Sequence, residues 1–142
     1  MRSSGLDPGF ARELAVANSD VYLTLFTDAR RGVFLLGDAT PFYILRPVVW
    51  HTTWDTSPLG EIIRAHGDDH RAWAAALIER GLPLVLVNEA EMHRLIDFKP
   101  WYDPDVAAAD WRGFFESHAR RLMVWPINAE HRRVLYEIIP PR

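Results

Sequence analysis

The chain has 142 residues, of which 49% are hydrophobic and 25% are charged, and its net charge is −3. This length and composition predict a single soluble domain that is large enough to bury its own core. Nucleic-acid binding is not expected, because the sixteen basic residues are scattered along the chain and form no basic patch. The absence of cysteine excludes disulfides, thiol nucleophiles and cysteine metal sites.

The first part of the chain predicts a helical lead-in, residues 1–31, ahead of an α/β core at residues 32–142. Asp7-Pro8 is typical of a helix start, with the aspartate as N-cap and the proline at the first helical position. Gly32 closes this segment. No stretch of the sequence approaches the ~18 apolar residues that a membrane span needs.

Three short apolar runs follow, at Val33–Leu36, Val48–Trp50 and Leu84–Val87. None of them alternates with polar residues, so each is expected to be a strand buried on both faces. Strands of this kind are typical of a parallel sheet covered by helices, in which the carboxyl ends of the strands form the ligand-binding edge.

Helix signals lie between and after these strands. A polar Asp55-Thr56-Ser57 segment precedes Pro58, and Gly67-Asp68-Asp69 separates the resulting helix from a second helix that Asp69 can cap. Two more helices are expected, at Glu89–Ile96 and from about Asp105 to Arg121.

The C-terminal segment predicts an antiparallel hairpin at a sheet edge. Leu122–Ile127 and Val134–Ile139 are apolar runs, and a polar turn at residues 128–131 separates them. The whole pattern predicts an α/β fold: a three-layer, Rossmann-like domain with a short, mainly parallel sheet and this hairpin at its end.

Polar residues directly follow each of the first three strands, at the edge where a site is expected. They are the candidate ligand-binding residues Asp38, His51, Asp55, Asn88, Glu89 and Glu91. If the strands are neighbours, these side chains can converge for acid–base chemistry or to bind a polyhydroxylated ligand. The preferred interpretation is that they cap helices and satisfy turn backbone. Asn88 and Glu91 have the spacing of a capping box, with Asn88 as N-cap.

Two other motifs are weaker. Gly37-Asp38 has only one of the glycines of the G-x-G-x-x-G fingerprint, so a simple turn capped by Asp38 or Thr40 is preferred to dinucleotide binding. His66 and His70 have the i, i+4 spacing of a zinc site on a helix. The glycine between them favours a break between helices, so neither a metal nor any other cofactor is expected.

Three segments together resemble a known family: "GVFLLGDATPFYILRPVVWHTTWDTSPLGEII", "LIERGLPLVLVNEAEMHRL" and a closing "RRVLYEI". They are similar to the soluble C-terminal domain of bacterial membrane glycosyltransferase-like proteins of the dolichyl-phosphate-mannose–protein mannosyltransferase class. The family's strands read like "vvYNTvfD", "thVLVNwsEl" and "vYeLyrv". The resemblance covers about three quarters of the chain.

The resemblance implies a non-catalytic accessory domain with a role in interaction or ligand sensing. The family's catalytic acidic residues lie in loops between transmembrane helices, so none of them is carried over to this sequence. The implied partners are the membrane portion of a parent protein or a lipid-linked sugar, on the extracytoplasmic face of the bacterial inner membrane. The chain is then either an excised domain or a stand-alone relative. The alternative is a small independent enzyme, or a sugar- or nucleotide-binding protein, that uses the strand-end residues.

Overall fold

The computed structural model describes residues 7–9, 12–13, 18–19, 22–23, 27–28, 31–37, 47–50, 56–97 and 103–142. The strands within these residues are β1 (Val33–Leu36), β2 (Val48–Val49), β3 (Leu84–Asn88), β4 (Ala119–Pro126) and β5 (Arg132–Ile138). The helices whose bounds lie within these residues are α1 (Pro58–His66), α2 (His70–Glu79), α3 (Glu89–Asp97), α4 (Pro104–Ala108) and α5 (Trp111–His118). Residues 8–9, 12–13, 19 and 22–23 of the N-terminal segment are also helical. The chain is therefore an α/β protein, as predicted.

The five strands form one mixed sheet in the order β2-β1-β3-β5-β4. β1 pairs in parallel with both β2 and β3, whereas β5 pairs in an antiparallel direction with both β3 and β4. The expected sheet was mainly parallel. The observed sheet is evenly divided because β5 lies between β3 and β4 and contributes two antiparallel pairings.

Apolar side chains of β1 and β3 pack on both faces of the sheet, as their unbroken runs predicted. On one face, Phe34 and Val85 belong to a cluster with residues of the helices. On the other face, Leu35 and Leu86 pack with Trp125 of β4. The central strands are therefore covered from both sides.

Two of the sequence predictions were wrong. Val49 and Trp50 are 37% and 45% exposed, because β2 is a two-residue strand at the sheet edge rather than a strand buried on both faces. The helix expected to run to Arg121 is two helices: Asp110 accepts a hydrogen bond from the Gly113 N–H and so starts α5. Residues 119–121 then belong to β4, since they pair with β5.

Candidate functional site

The carboxyl ends of β1, β2 and β3 lie at one edge of the sheet, because the three strands are parallel neighbours. Gly37 ends β1 with a φ of +80° and lies against the end of β3. A Cβ at this position would be 2.9 Å from the Asn88 carbonyl oxygen and from Cγ of Met92. Glycine is therefore needed at this approach of two strand ends.

Asn88 caps α3, as the sequence predicted. Its side chain is buried at the end of β3, and its Oδ1 accepts a 3.1 Å hydrogen bond from the Glu91 N–H. This N–H belongs to the first helical turn and has no acceptor within the helix. The cap accounts for the asparagine of the Asn-x-x-Glu spacing, but the predicted capping box is only half formed, because the Glu91 carboxylate contacts Arg94 rather than the Asn88 N–H.

The carboxylate of Glu91 lies on the same first turn of α3, where the helix dipole favours a negative charge. Its Oε2 accepts hydrogen bonds from Nε and Nη2 of Arg94, at 3.0 and 2.8 Å. The Glu91 side chain thus stabilises the surface of its own helix.

Glu89 joins the start of α3 to the start of β5. Its Oε2 accepts from the Arg132 backbone N–H at 3.1 Å, and its Oε1 accepts from Nη2 of the same arginine at 3.1 Å. The Glu89 side chain is 16% exposed, so this carboxylate is largely withdrawn from solvent. These contacts hold two elements that are 43 residues apart in sequence.

The structure thus describes three of the six candidate residues, and each of the three is bonded within the fold. We name Asn88, Glu89 and Glu91 the β3–α3 junction. The other three candidates, Asp38, His51 and Asp55, lie outside the described residues, as does Thr40.

The structural role of another carboxylate, that of Asp103, was not recognised in the sequence. The Asp103 side chain is 4% exposed, and its Oδ2 accepts from the Ser57 N–H at the start of α1 at 3.3 Å. Arg64 donates both to Asp103, at 3.4 Å, and to Asp105, at 2.5 Å. Since Gly60 leaves the space that this carboxylate occupies, Asp103 acts as a cap for α1 as well as for its own helix α4. The Asp103-Pro104 pair is typical of a helix start and so indicates α4, but nothing in the sequence indicates the contact of Asp103 with α1.

A cleft of about 340 Å³ lies between α5 and the β4–β5 pair. It is lined by Phe115, Glu116, Ala119, Arg121, Arg132 and Tyr136, and we name it the Tyr136 cleft. The Tyr136 ring stacks on Phe115 at a centroid distance of 4.8 Å. Burial raises the pKa of the Tyr136 phenol; the charges of Glu89 and Glu116 also raise it, and those of Arg132 and Arg121 oppose them. Four charged side chains therefore act on this hydroxyl group.

A different cleft, of about 460 Å³, includes Arg31, Arg120 and Glu137 among its lining residues. The Glu137 carboxylate contacts both arginines, at 2.6 Å and 2.5 Å. Burial acts to raise the pKa of Glu137, but the hydrogen bonds from Arg31 and Arg120 outweigh it and lower the pKa. The carboxylate and guanidinium groups of this cleft are thus engaged with one another.

The two histidines of the i, i+4 pair have different surroundings. His66 is exposed at the end of α1, and the ring of His70 packs 4.5 Å from the ring of Trp73 in α2. Gly67-Asp68-Asp69 separates the helices, as predicted, and Asp69 accepts a hydrogen bond from the Ala72 N–H. Among the described residues, no group of three histidine or carboxylate side chains is placed to hold a metal ion.

Comparison of the chain with protein-family models, with curated proteins and with solved structures gives no match. In the part of the chain that the structure describes, no helix has both the length and the apolar character needed to cross a membrane.

Proposed function

We propose that this chain is a non-catalytic module of a membrane glycosyltransferase-like protein, with a role in interaction or ligand sensing. The observation that carries the proposal is the state of the β3–α3 junction. Asn88, Glu89 and Glu91 are each used to hold a helix start or to join two elements. A general acid or base must instead be free to reach a substrate proton.

The residues of the family resemblance support this proposal. The segments that resemble the family's second and third strand motifs and its closing strand include β2, β3 and β5. In the most specific of the motifs, Val-Asn-x-x-Glu, the asparagine makes the cap to the Glu91 N–H, and the Glu91 carboxylate contacts Arg94. The resemblance is thus one of architecture, which is what a shared module requires.

We propose that the sheet is the middle layer of a three-layer, Rossmann-like domain that ends in a C-terminal antiparallel hairpin. Apolar clusters on both faces of the sheet and the antiparallel pairing of β4 with β5 support it.

The proposed partner is the membrane portion of the parent protein or a lipid-linked sugar, on the extracytoplasmic face of the inner membrane. The exposed side chains of Val49 and Trp50 support a contact surface at the β2 edge. An edge strand with exposed apolar side chains is a site at which another chain can pair or pack.

The proposal can be tested with the purified chain and two sugar donors, UDP-glucose and a polyprenyl-phosphate glucose in vesicles. We expect binding to the vesicles that carry the lipid-linked sugar, and no release of glucose from either donor. A triple variant, Asn88→Ser, Glu89→Gln and Glu91→Gln, should bind the same vesicles, and Trp50→Ala should weaken the binding.

Glucose release by the native chain that the triple variant loses would overturn the proposal. It would support the alternative, an independent enzyme or sugar- or nucleotide-binding protein that uses the strand-end residues. Absence of vesicle binding by the native chain would count against a lipid-linked sugar as the partner.

A further inference from the structure

The Tyr136 cleft depends on an irregularity in β4. Side chains two residues apart in a regular strand share a face, so Arg121 would be expected on the same face as Met123 and Trp125. The pairing register shifts between Arg121 and Met123, which leaves Leu122 as an extra residue. Arg121 therefore lies opposite Tyr136, while Met123 and Trp125 pack in the cluster on the other face.

A β-bulge interrupts the ladder of hydrogen bonds, and bulges of this kind often redirect a side chain beside a functional site. Here the redirected side chain is a guanidinium placed next to a half-buried phenol. Without the bulge, Arg121 would lie on the opposite face of the sheet, and the cleft would lose one of its charged lining residues.

Two charged residues of the cleft, Arg121 and Glu116, are exposed, and neither forms an ion pair with any of the described residues. Arg132, by contrast, is held by Glu89 in the contacts described above. The lining of the cleft thus has one donor group, on Arg121, and one acceptor group, on Glu116, available to a ligand.

The charges around the cleft balance. Arg121, Arg132 and Glu116 line the cleft, and Arg132 is paired with Glu89, which is not a lining residue. The unpaired charges of the lining are therefore one positive, on Arg121, and one negative, on Glu116, so a charged ligand of either sign would face a like charge as well as an opposite one. A neutral ligand with several hydroxyl groups can accept from the arginines and donate to Glu116, since each hydroxyl both donates and accepts.

We infer that the Tyr136 cleft binds a small neutral polyhydroxylated ligand the size of a monosaccharide. The volume of about 340 Å³ lies within the range of small-molecule sites, roughly 300 to 1,000 Å³. The half-buried Tyr136 ring, which is held by stacking on the buried Phe115, offers an apolar surface for the C–H groups of a sugar ring. The cleft adjoins the β3–α3 junction, because Arg132 lines it and is bonded to Glu89, but no residue of the junction lines it. The inference therefore does not require the proposed membrane partner.

The test is a titration of the ¹⁵N-labelled full chain, monitored by NMR. The probes are methyl β-glucopyranoside and methyl α-mannopyranoside, with inorganic phosphate and methylammonium as charged probes. We expect saturable, millimolar binding of at least one glycoside, with the largest shifts in α5, β4 and β5. Tyr136→Phe keeps the ring on Phe115 but removes the hydroxyl, so it should weaken binding about five-fold. Arg121→Gln should weaken it by a similar factor.

Arg120→Gln is the matched control, because Arg120 is the neighbouring arginine of β4 but contacts Glu137 outside the cleft. This variant should bind the glycoside as the native chain does. The inference is overturned if neither glycoside binds, if phosphate or methylammonium shifts these amides in preference, or if Tyr136→Phe leaves affinity unchanged. If the native chain binds a glycoside but does not bind the vesicles that carry the lipid-linked sugar, the result counts against the proposed membrane partner and not against this inference.

Discussion

The β3–α3 junction and the Tyr136 cleft both contain carboxylates, arginines and neutral polar groups, but the two regions use them differently. At the junction, the oxygens of Asn88, Glu89 and Glu91 accept hydrogen bonds from the backbone or from arginines of the fold. In the cleft, Arg121 and Glu116 have no such partner among the described residues. The comparison indicates that the polar residues of the β3–α3 junction are used for stability, whereas a register shift in an edge strand places an available guanidinium, that of Arg121, in the cleft.

The largest effect is expected from Gly60→Ala, which tests whether the contact of Asp103 with the start of α1 depends on the space that Gly60 leaves. An added Cβ would overlap the Asp103 carboxylate, so the carboxylate must leave the start of α1. We expect a loss of about 1 to 3 kcal/mol in the free energy of unfolding, measured by urea denaturation.

The control is the double variant Gly60→Ala with Asp103→Ala. Its cost should be smaller than the sum of the single costs, because the overlap disappears with the carboxylate. Simple additivity would contradict the packing of Asp103 against Gly60.

Glu89→Ala should destabilise the chain by about 1.5 kcal/mol, since it leaves the Arg132 backbone N–H and guanidinium without their carboxylate. The matched control is Glu91→Ala, which removes a more exposed carboxylate and should cost about 0.5 kcal/mol. Thermal and urea unfolding of the two variants can be compared directly. An equal cost for both would contradict the special role of Glu89 in joining α3 to β5.

Asn88→Ala should cost about 1 kcal/mol of unfolding free energy, the usual effect of losing an N-cap side chain. Asn88→Ser keeps an oxygen that can accept from the Glu91 N–H, so it should recover most of this loss. If serine is as destabilising as alanine, the cap is not the reason for asparagine at this position.

The smallest effects on stability are expected for the residues of the Tyr136 cleft. Arg121→Gln and Glu116→Gln should each change the free energy of unfolding by less than about 0.5 kcal/mol, because both side chains are exposed. Urea denaturation again provides the measurement. A loss as large as that of Glu89→Ala would show that the cleft residues are also structural.

Much of the fold could be predicted because the signals are local. The unbroken apolar runs of β1 and β3 identify strands buried on both faces, and the Gly67-Asp68-Asp69 break separates α1 from α2. The Asn88 cap was also predictable, since N-cap and N3 positions are only three residues apart. The position of β2 at the edge was not, because an apolar run looks the same at an edge and at the centre of a sheet.

The candidate site was less accessible to sequence analysis because it depends on pairing between distant elements. Asp103 reaches Ser57 across 46 residues, and nothing in either segment indicates this contact. The position of Arg121 opposite Tyr136 depends on a β-bulge, which is recognised from the shift in pairing between β4 and β5 and not from the sequence of β4. Alternation alone places Arg121 with Trp125 instead.

Hydrogen exchange of the Glu91 amide tests the central claim most directly. The first amides of a helix have no acceptor within the helix, so protection of this N–H depends on the Asn88 side chain. We predict that the Glu91 amide is protected in the native chain and exchanges much faster in Asn88→Ala, while the amides of β3 stay protected in both. A Glu91 amide that exchanges freely in the native chain would contradict the structural role of the strand-end residues.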